Sequence, residues 1–455
     1  MNLRLALPLV VLGLPAALLL AFGPRGRTHA PPDRVVLRYW EKWTGVEGAA
    51  IQRIVDRYNA TAGAEAGIWV AYTALGDVDK RMLIATAGGD PPDLAGLPDR
   101  FLASYADRGA LMPLDDLVAE AGIDLAQFQP IWLDICRYRD VLYALPSTPF
   151  TIALFYNREM FRRAGLDPDR PPQTTGELNE YFTKLTRIEG GRIVQCGFTT
   201  SPAMLGWWHW VWPYFFGDDY LRDSSTLIDT PPTHAALDWI VRRRSSVGND
   251  RMLDFEATAG AIESAQNPFL SGRLAMVFQG PWMANWARVY APDLDYGVAA
   301  FPGATPERTP VFASCDVFVI PRGARHVKEV MHFLKYVMRQ ENLEELCRSH
   351  GKVSPFRTPQ PAFFENHPNP QIRAFEQLAA SPDTFGFPKM PTFAQAEAIT
   401  FEMLDSVLRR TAAPEDAIRT AERKLRDVVT EYERMAALRG RRTDETPARA
   451  AEARP

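Results

Sequence analysis

The stretch from Phe269 to Trp282 constrains the fold more than any other. Ala275 to Phe278 is an apolar run of core-strand length, with Ser271-Gly272 breaking the chain before it and Gly280-Pro281 breaking it behind. The run reads as a buried strand that ends in a turn presenting one large ring, Trp282. Open α/β sheets bind ligands at the carboxyl ends of their strands, so Trp282 is a candidate ligand contact. Packing of the ring against its own lobe is the competing reading.

The amino-terminal part has the same character. Arg34 to Trp40 is rich in β-branched and aromatic residues and reads as a first strand. Gly48 to Tyr58 places Ala50, Ile51, Ile54, Val55 and Tyr58 at helical spacing, and Gly67 to Tyr72 reads as the next strand. Strand, helix, strand implies a parallel sheet with right-handed crossovers. At 455 residues the chain is too long for one core, because cores stop growing near roughly 250 to 300 residues, so two lobes are expected. With 46% hydrophobic and 23% charged residues it has ample material for both. A net charge of −4 and no basic stripe along any predicted helix leave nothing to hold a phosphate backbone, so nucleic acid is not an expected partner.

Parts for covalent chemistry are missing. There is no G-x-S-x-G elbow, no H-E-x-x-H and no P-loop, and the seven histidines are scattered. No enzyme activity, cofactor or metal is expected. A glycosidase needs only two facing carboxylates, which any pair of the 55 acids could supply, so that class stays open as the rival. Cys136, Cys196, Cys315 and Cys347 lack any C-x-x-C spacing and read as small buried hydrophobes rather than as a disulfide framework.

Four blocks in fixed order carry a resemblance. They are Asp90-Pro91-Pro92-Asp93-Leu94 with Pro98-Asp99-Arg100-Phe101 and Gly109 to Leu114; Leu142 to Pro146 with Phe155 to Leu166; the Phe269 to Trp282 stretch; and Pro414 to Ile418. Together they resemble the extracellular sugar-binding proteins of ABC importers, the maltose-binding-protein-like family, from about Val35 to about Leu425. Leu274 and Thr175 depart from the family pattern at positions that bear on packing. The resemblance implies an α/β, two-lobe periplasmic-binding-protein fold of type II with a three-crossing hinge. The expected lobes are 33–148 with 312–354, and 149–311 with 355–435. The first crossing is expected at Ser147-Thr148-Pro149, the return near Pro310 to Ser314 and the last near Gly351 to Pro355. One helix is expected from Val327 to Cys347. The implied function is capture of a carbohydrate in the interlobe cleft and delivery to ABC transporter permease subunits by a monomer, with a non-sugar solute such as a polyol phosphate as the alternative.

Sugars present hydroxyls at their edges and flat C–H patches on their faces, so their sites combine stacked rings with charged or amide groups. Trp40, Glu41, Lys42 and Trp43 offer that mixture at the end of the first strand. Asp99 and Arg100 match the family's sugar-gripping pair, and Asp316 stands at the return crossing. In the aromatic run from Trp207 to Phe216, helical spacing sets Trp208 and Trp212 on one face and Trp207 and Trp210 on another. Trp208 and Trp212 are the candidates to reach the cleft, Phe393 is a further ring, and loop packing competes for it.

Both termini lie outside this frame. Leu5 to Phe22 is an uncharged apolar segment that directs export, either as a signal peptide cleaved near Pro31 or as a tether to the inner membrane. No cysteine lies nearby to take a lipid. Ala436 to Pro455 carries almost no large apolar residue and reads as disordered.

Overall fold

The computed structural model describes residues 30–202, 208–217, 220–221 and 228–452, with side chains up to residue 438. The apolar segment Leu5 to Phe22 and Trp207 lie outside the described residues. Among the described residues no helix is long and apolar enough to cross a membrane.

Two sheets organise the chain. The first is built from β1 (Val35–Glu41), β2 (Ile68–Ala74) and β3 (Leu94–Pro98), which run parallel in the order β3-β1-β2. A small hairpin, β4 (Arg137–Tyr138) and β5 (Val141–Leu142), stands apart, and β6 (Leu145–Thr151) then leads toward the second sheet. That sheet contains β7 (Ala153–Asn157), β8 (Arg187–Glu189), β9 (Arg192–Phe198), β10 (Leu274–Gln279) and β11 (Tyr296–Ala299), in the order β11-β7-β10-β9-β8. The chain returns through β12 (Val311–Val319), antiparallel to both β3 and β6, and β13 (Thr384–Phe385) adds at its edge. Every residue of β6, β7, β10 and β12 is buried, which explains why β7 and β10 read as nearly unbroken apolar runs, whereas β6 and β12 also bury Ser147, Thr148, Thr151, Ser314 and Asp316.

Local chemistry sets the helix ends. Thr174 Oγ1 accepts from Glu177 N at 3.1 Å and caps the helix Thr175–Leu185, while Glu177 Oε2 accepts from Gln173 N at 2.9 Å. The helical stretch expected from Val327 to Cys347 is two helices, Val327–Val337 and Gln340–Ser349. Arg339 between them is extended, and the Asn342 side chain donates to Tyr336 O at 2.7 Å, taking up a carbonyl freed at the first helix's end.

Three boundaries differ from the sequence expectation. β6 stays paired with β12 as far as Thr151↔Ala313, so the chain passes between sheets at Ile152 rather than at Ser147-Thr148-Pro149. β13 pairs with the first sheet although the segment 355–435 was expected wholly in the second lobe; Asp383 just before it accepts from Val311 N at 3.2 Å and, through its carboxylate, from Thr309 N at 2.9 Å. The last helix, Pro414–Glu452, runs through the tail expected to be disordered. Few apolar residues rule out a packed core, but Ala, Arg and Glu are strong helix formers.

The second sheet rests on a buried ion pair. Arg244 donates to Glu256 at 2.7 and 3.1 Å and to Asn249 at 2.8 Å, and Thr199, just past β9, donates to Glu256 at 2.6 Å. All four cysteines are free and buried. Removing one member of a buried pair leaves an uncompensated charge, so Arg244→Met is expected to lower unfolding free energy by about 3 kcal/mol or more, read from urea titration.

Candidate functional site

The ends of β1, β3 and β10 and the middle of β12 meet around a cleft of about 670 Å³ between the two sheets. Asp316 of β12 anchors its floor. Lys352 Nζ donates to Asp316 Oδ2 at 2.8 Å, Thr148 Oγ1 donates to the same oxygen at 3.2 Å, and Lys42 Nζ pairs with Asp316 Oδ1. Burial pushes the Asp316 carboxyl up, but Lys352 and Lys42 outweigh it and hold the group well below the usual carboxylate range. Burial likewise works against the Lys352 ammonium, which Asp316 and Glu47 nevertheless keep charged.

Asp99, at the end of β3, lies next to this cluster in a different state. Ser314 Oγ donates to Asp99 Oδ1 at 2.8 Å and Cys315 N to Oδ2 at 3.3 Å, yet burial, with the neighbouring Asp316 charge, lifts its pKa to about 7. Glu41 behaves alike. Its carboxylate accepts from Lys42 N at 2.8 Å and Tyr39 Oη at 3.1 Å, and burial raises it to about 7. The Glu41 carboxylate lies across Gly96, where a Cβ would fall 1.5 Å from Oε2, so it is directed onto β3 and not into the cleft.

The aromatic wall comes from both sides. Trp282 follows β10 and precedes the helix Met283–Tyr290; its Nε1 donates to Gln279 Oε1 at 3.1 Å, and its ring lies over Gly280, where a Cβ would meet Cη2 at 2.3 Å. Glycine is what lets the ring fold back over the turn. Trp282 makes an edge contact with Phe150 at 5.1 Å and lies 5.8 Å from Trp208. Trp286 is one helical turn beyond Trp282 on the same cleft wall. Both are half-buried, whereas Trp43, edge-on to His350 at 4.6 Å, and Trp208 are only 2% exposed and form walls more than stacking faces.

Of the residues singled out from sequence, Lys42, Trp43, Asp99, Arg100, Trp208, Trp282 and Asp316 line this cleft. Four do not. Trp40 packs half-buried against the core, and Glu41 turns onto β3 as described. Trp212 is enclosed by Phe198, Phe215, Trp239, Phe278 and Phe301. Phe393 packs behind the wall on Trp210 and Phe387. The Trp212 expectation failed because His209–Phe215 is a 3₁₀ helix containing Pro213. Three residues per turn align i with i+3, so Trp208 and Trp212 diverge. The sequence reading missed Lys352, Gln279, Phe150 and Trp286. Trp286 alone had a local signal, its i+4 spacing from Trp282.

Asp99 and Glu41 titrate higher in the folded chain than in the unfolded one, so between about pH 4 and pH 7 the folded state binds more protons and stability falls as pH rises. Asp99→Asn and Glu41→Gln should each flatten that fall, by up to about 1.4 kcal/mol per pH unit, in urea midpoints measured across the window. Asp316, shifted the other way, titrates below it.

The model of the bacterial extracellular solute-binding protein family matches residues 42–344. A putative binding protein of Brucella abortus (strain 2308) is 22% identical over 343 residues, which cover 74% of this chain and 80% of that protein. The sn-glycerol-3-phosphate-binding periplasmic protein of Escherichia coli (strain 536) is 24% identical over 423 residues, covering 87% of this chain and 93% of its own. Among solved structures, CpMnBP1 with mannotriose bound aligns with a TM-score of 0.73 at 24% identity, over 86% of this chain and 100% of that one. The sugar-binding protein MalE from Xanthomonas citri aligns with a TM-score of 0.72 at 18% identity, over 88% and 99%. The chain shares with these neighbours the fold of the type II periplasmic binding proteins, and it belongs to the bacterial extracellular solute-binding proteins.

Proposed function

We propose that the chain is the substrate-binding component of an ABC importer, capturing a mono- or oligosaccharide in the cleft and delivering it to the permease. The observation that carries this reading is the pairing of half-buried Trp282 and Trp286 with Asp99, Arg100 and Lys42 around one cavity. Flat rings suit the C–H faces of a sugar, and charged groups suit its hydroxyls. A solute touching walls from both sheets binds the closed arrangement better than the open one, and that difference in affinity drives closure. Catalysis of glycan turnover has no part in this reading, and the protein acts as an exported monomer, free or tethered through Leu5 to Phe22.

A polyol phosphate is the second reading, favoured by the E. coli relative's name. Charge tells against it. Lys42, Arg100 and Lys352 face four acids around the cleft, Glu47, Asp99, Glu263 and Asp316, and Asp316 engages both lysines. A dianionic head group wants a surplus of cations.

Thermal-shift screening against mono- and oligosaccharides and sn-glycerol 3-phosphate separates the readings, since a ligand at about a hundred times its dissociation constant stabilises by roughly 2.7 kcal/mol. A shift with glycerol phosphate and none with any saccharide would falsify the sugar reading. With the ligand in hand, Trp282→Ala should weaken calorimetric binding by about 30-fold, near 2 kcal/mol, and leave cooperative unfolding intact. Normal binding, or unfolding, would assign the ring to the core instead.

A further inference from the structure

The chain passes between the two sheets through the paired strands β6 and β12, and one side chain from a third segment binds both. Lys352 follows the helix Gln340–Ser349 and is 7% exposed. Its Nζ donates to Thr148 Oγ1 of β6 at 3.0 Å and to Asp316 Oδ2 of β12 at 2.8 Å. Thr148 closes the triangle by donating to Asp316 at 3.2 Å. The same ammonium stands 5.3 Å from the Phe150 ring centroid, and Phe150 meets Trp282 edge to face across the cleft. Taking an ammonium this far out of water is costly unless its partners are fixed.

We infer that Lys352 is a positioning residue for solute capture: it ties together β6 and β12, the strands that carry the chain between the sheets, at the floor of the cleft and, through Phe150, sets the angle at which the Trp282 wall faces the first sheet. The residue acts on the hinge itself, so its role holds whichever solute fills the cleft. Without the tie the two strands lose the side-chain link that braces them beside the Asp316–Val317 register shift, and the lobes sample a wider range of separations.

The test needs no ligand. Ile84 and Val289, 71% and 63% exposed on helices of the first and second sheets, are replaced by cysteine and spin-labelled in the full chain; the four native cysteines are buried and stay unlabelled. Lys352→Met is expected to widen the label-to-label distance distribution about twofold while unfolding stays cooperative, and Lys352→Arg, which keeps the cation, to hold the wild-type width. Thr148→Val, which removes one corner of the triangle, should widen it less, in the same sense. An unchanged width in folded Lys352→Met overturns the assignment. Should that variant fail to fold, an unchanged width in Thr148→Val overturns it.

Discussion

The antiparallel pairing of β6 with β12 holds the molecule together, because these strands belong to the first sheet and also carry the chain to and from the second. Two strands hydrogen-bonded along the crossing resist shear yet bend where pairing stops, at Thr151↔Ala313. The register shift between Asp316 and Val317 marks the floor of the cleft. A bulge at such a place re-aims side chains, and Asp316 is directed to two lysines and a threonine from other parts of the chain.

That arrangement sorts the three buried acids near the floor. Asp316 has two ammonium partners and stays ionised, while Asp99 has hydrogen-bond donors only, Glu41 has the Lys42 charge nearby but no ammonium bonded to it, and both sit near neutral pH. Burial disfavours each charge alike, and only full ammonium partners reverse it. The cleft therefore combines one fixed anion with one nearby carboxyl able to accept or donate, a mixture suited to hydroxyl groups. The rings add apolar area that no charged group supplies, and Gly280 lets the foremost of them fold over its own turn.

Much of this was local enough to read along the chain. The apolar run Ala275 to Phe278 between two breakers specified β10 and the Gly280-Pro281-Trp282 turn, because strand burial and turn chemistry depend on adjacent residues. Asp99 and Arg100 were found by their motif, and Trp43 by its place just past a strand end. Both lobes followed from length and from the strand-helix-strand start.

What the sequence left undecided depends on distant residues. Lys352 has no local signal: its role comes from Thr148, 204 positions earlier, and Asp316, 36 positions earlier, meeting it at the floor of the cleft. Glu41 was drawn onto β3 by the space above Gly96, a neighbour created only by sheet pairing. Trp212 and Trp208 were parted when a proline-containing 3₁₀ turn replaced the α-helical spacing that would have aligned them. Periodicity and breakers thus determined most strands and helices and the strand-end ring, and length the two-lobe plan. Which side chains face the cleft was decided only by tertiary packing, because a strand or turn chooses its face by what lies against it.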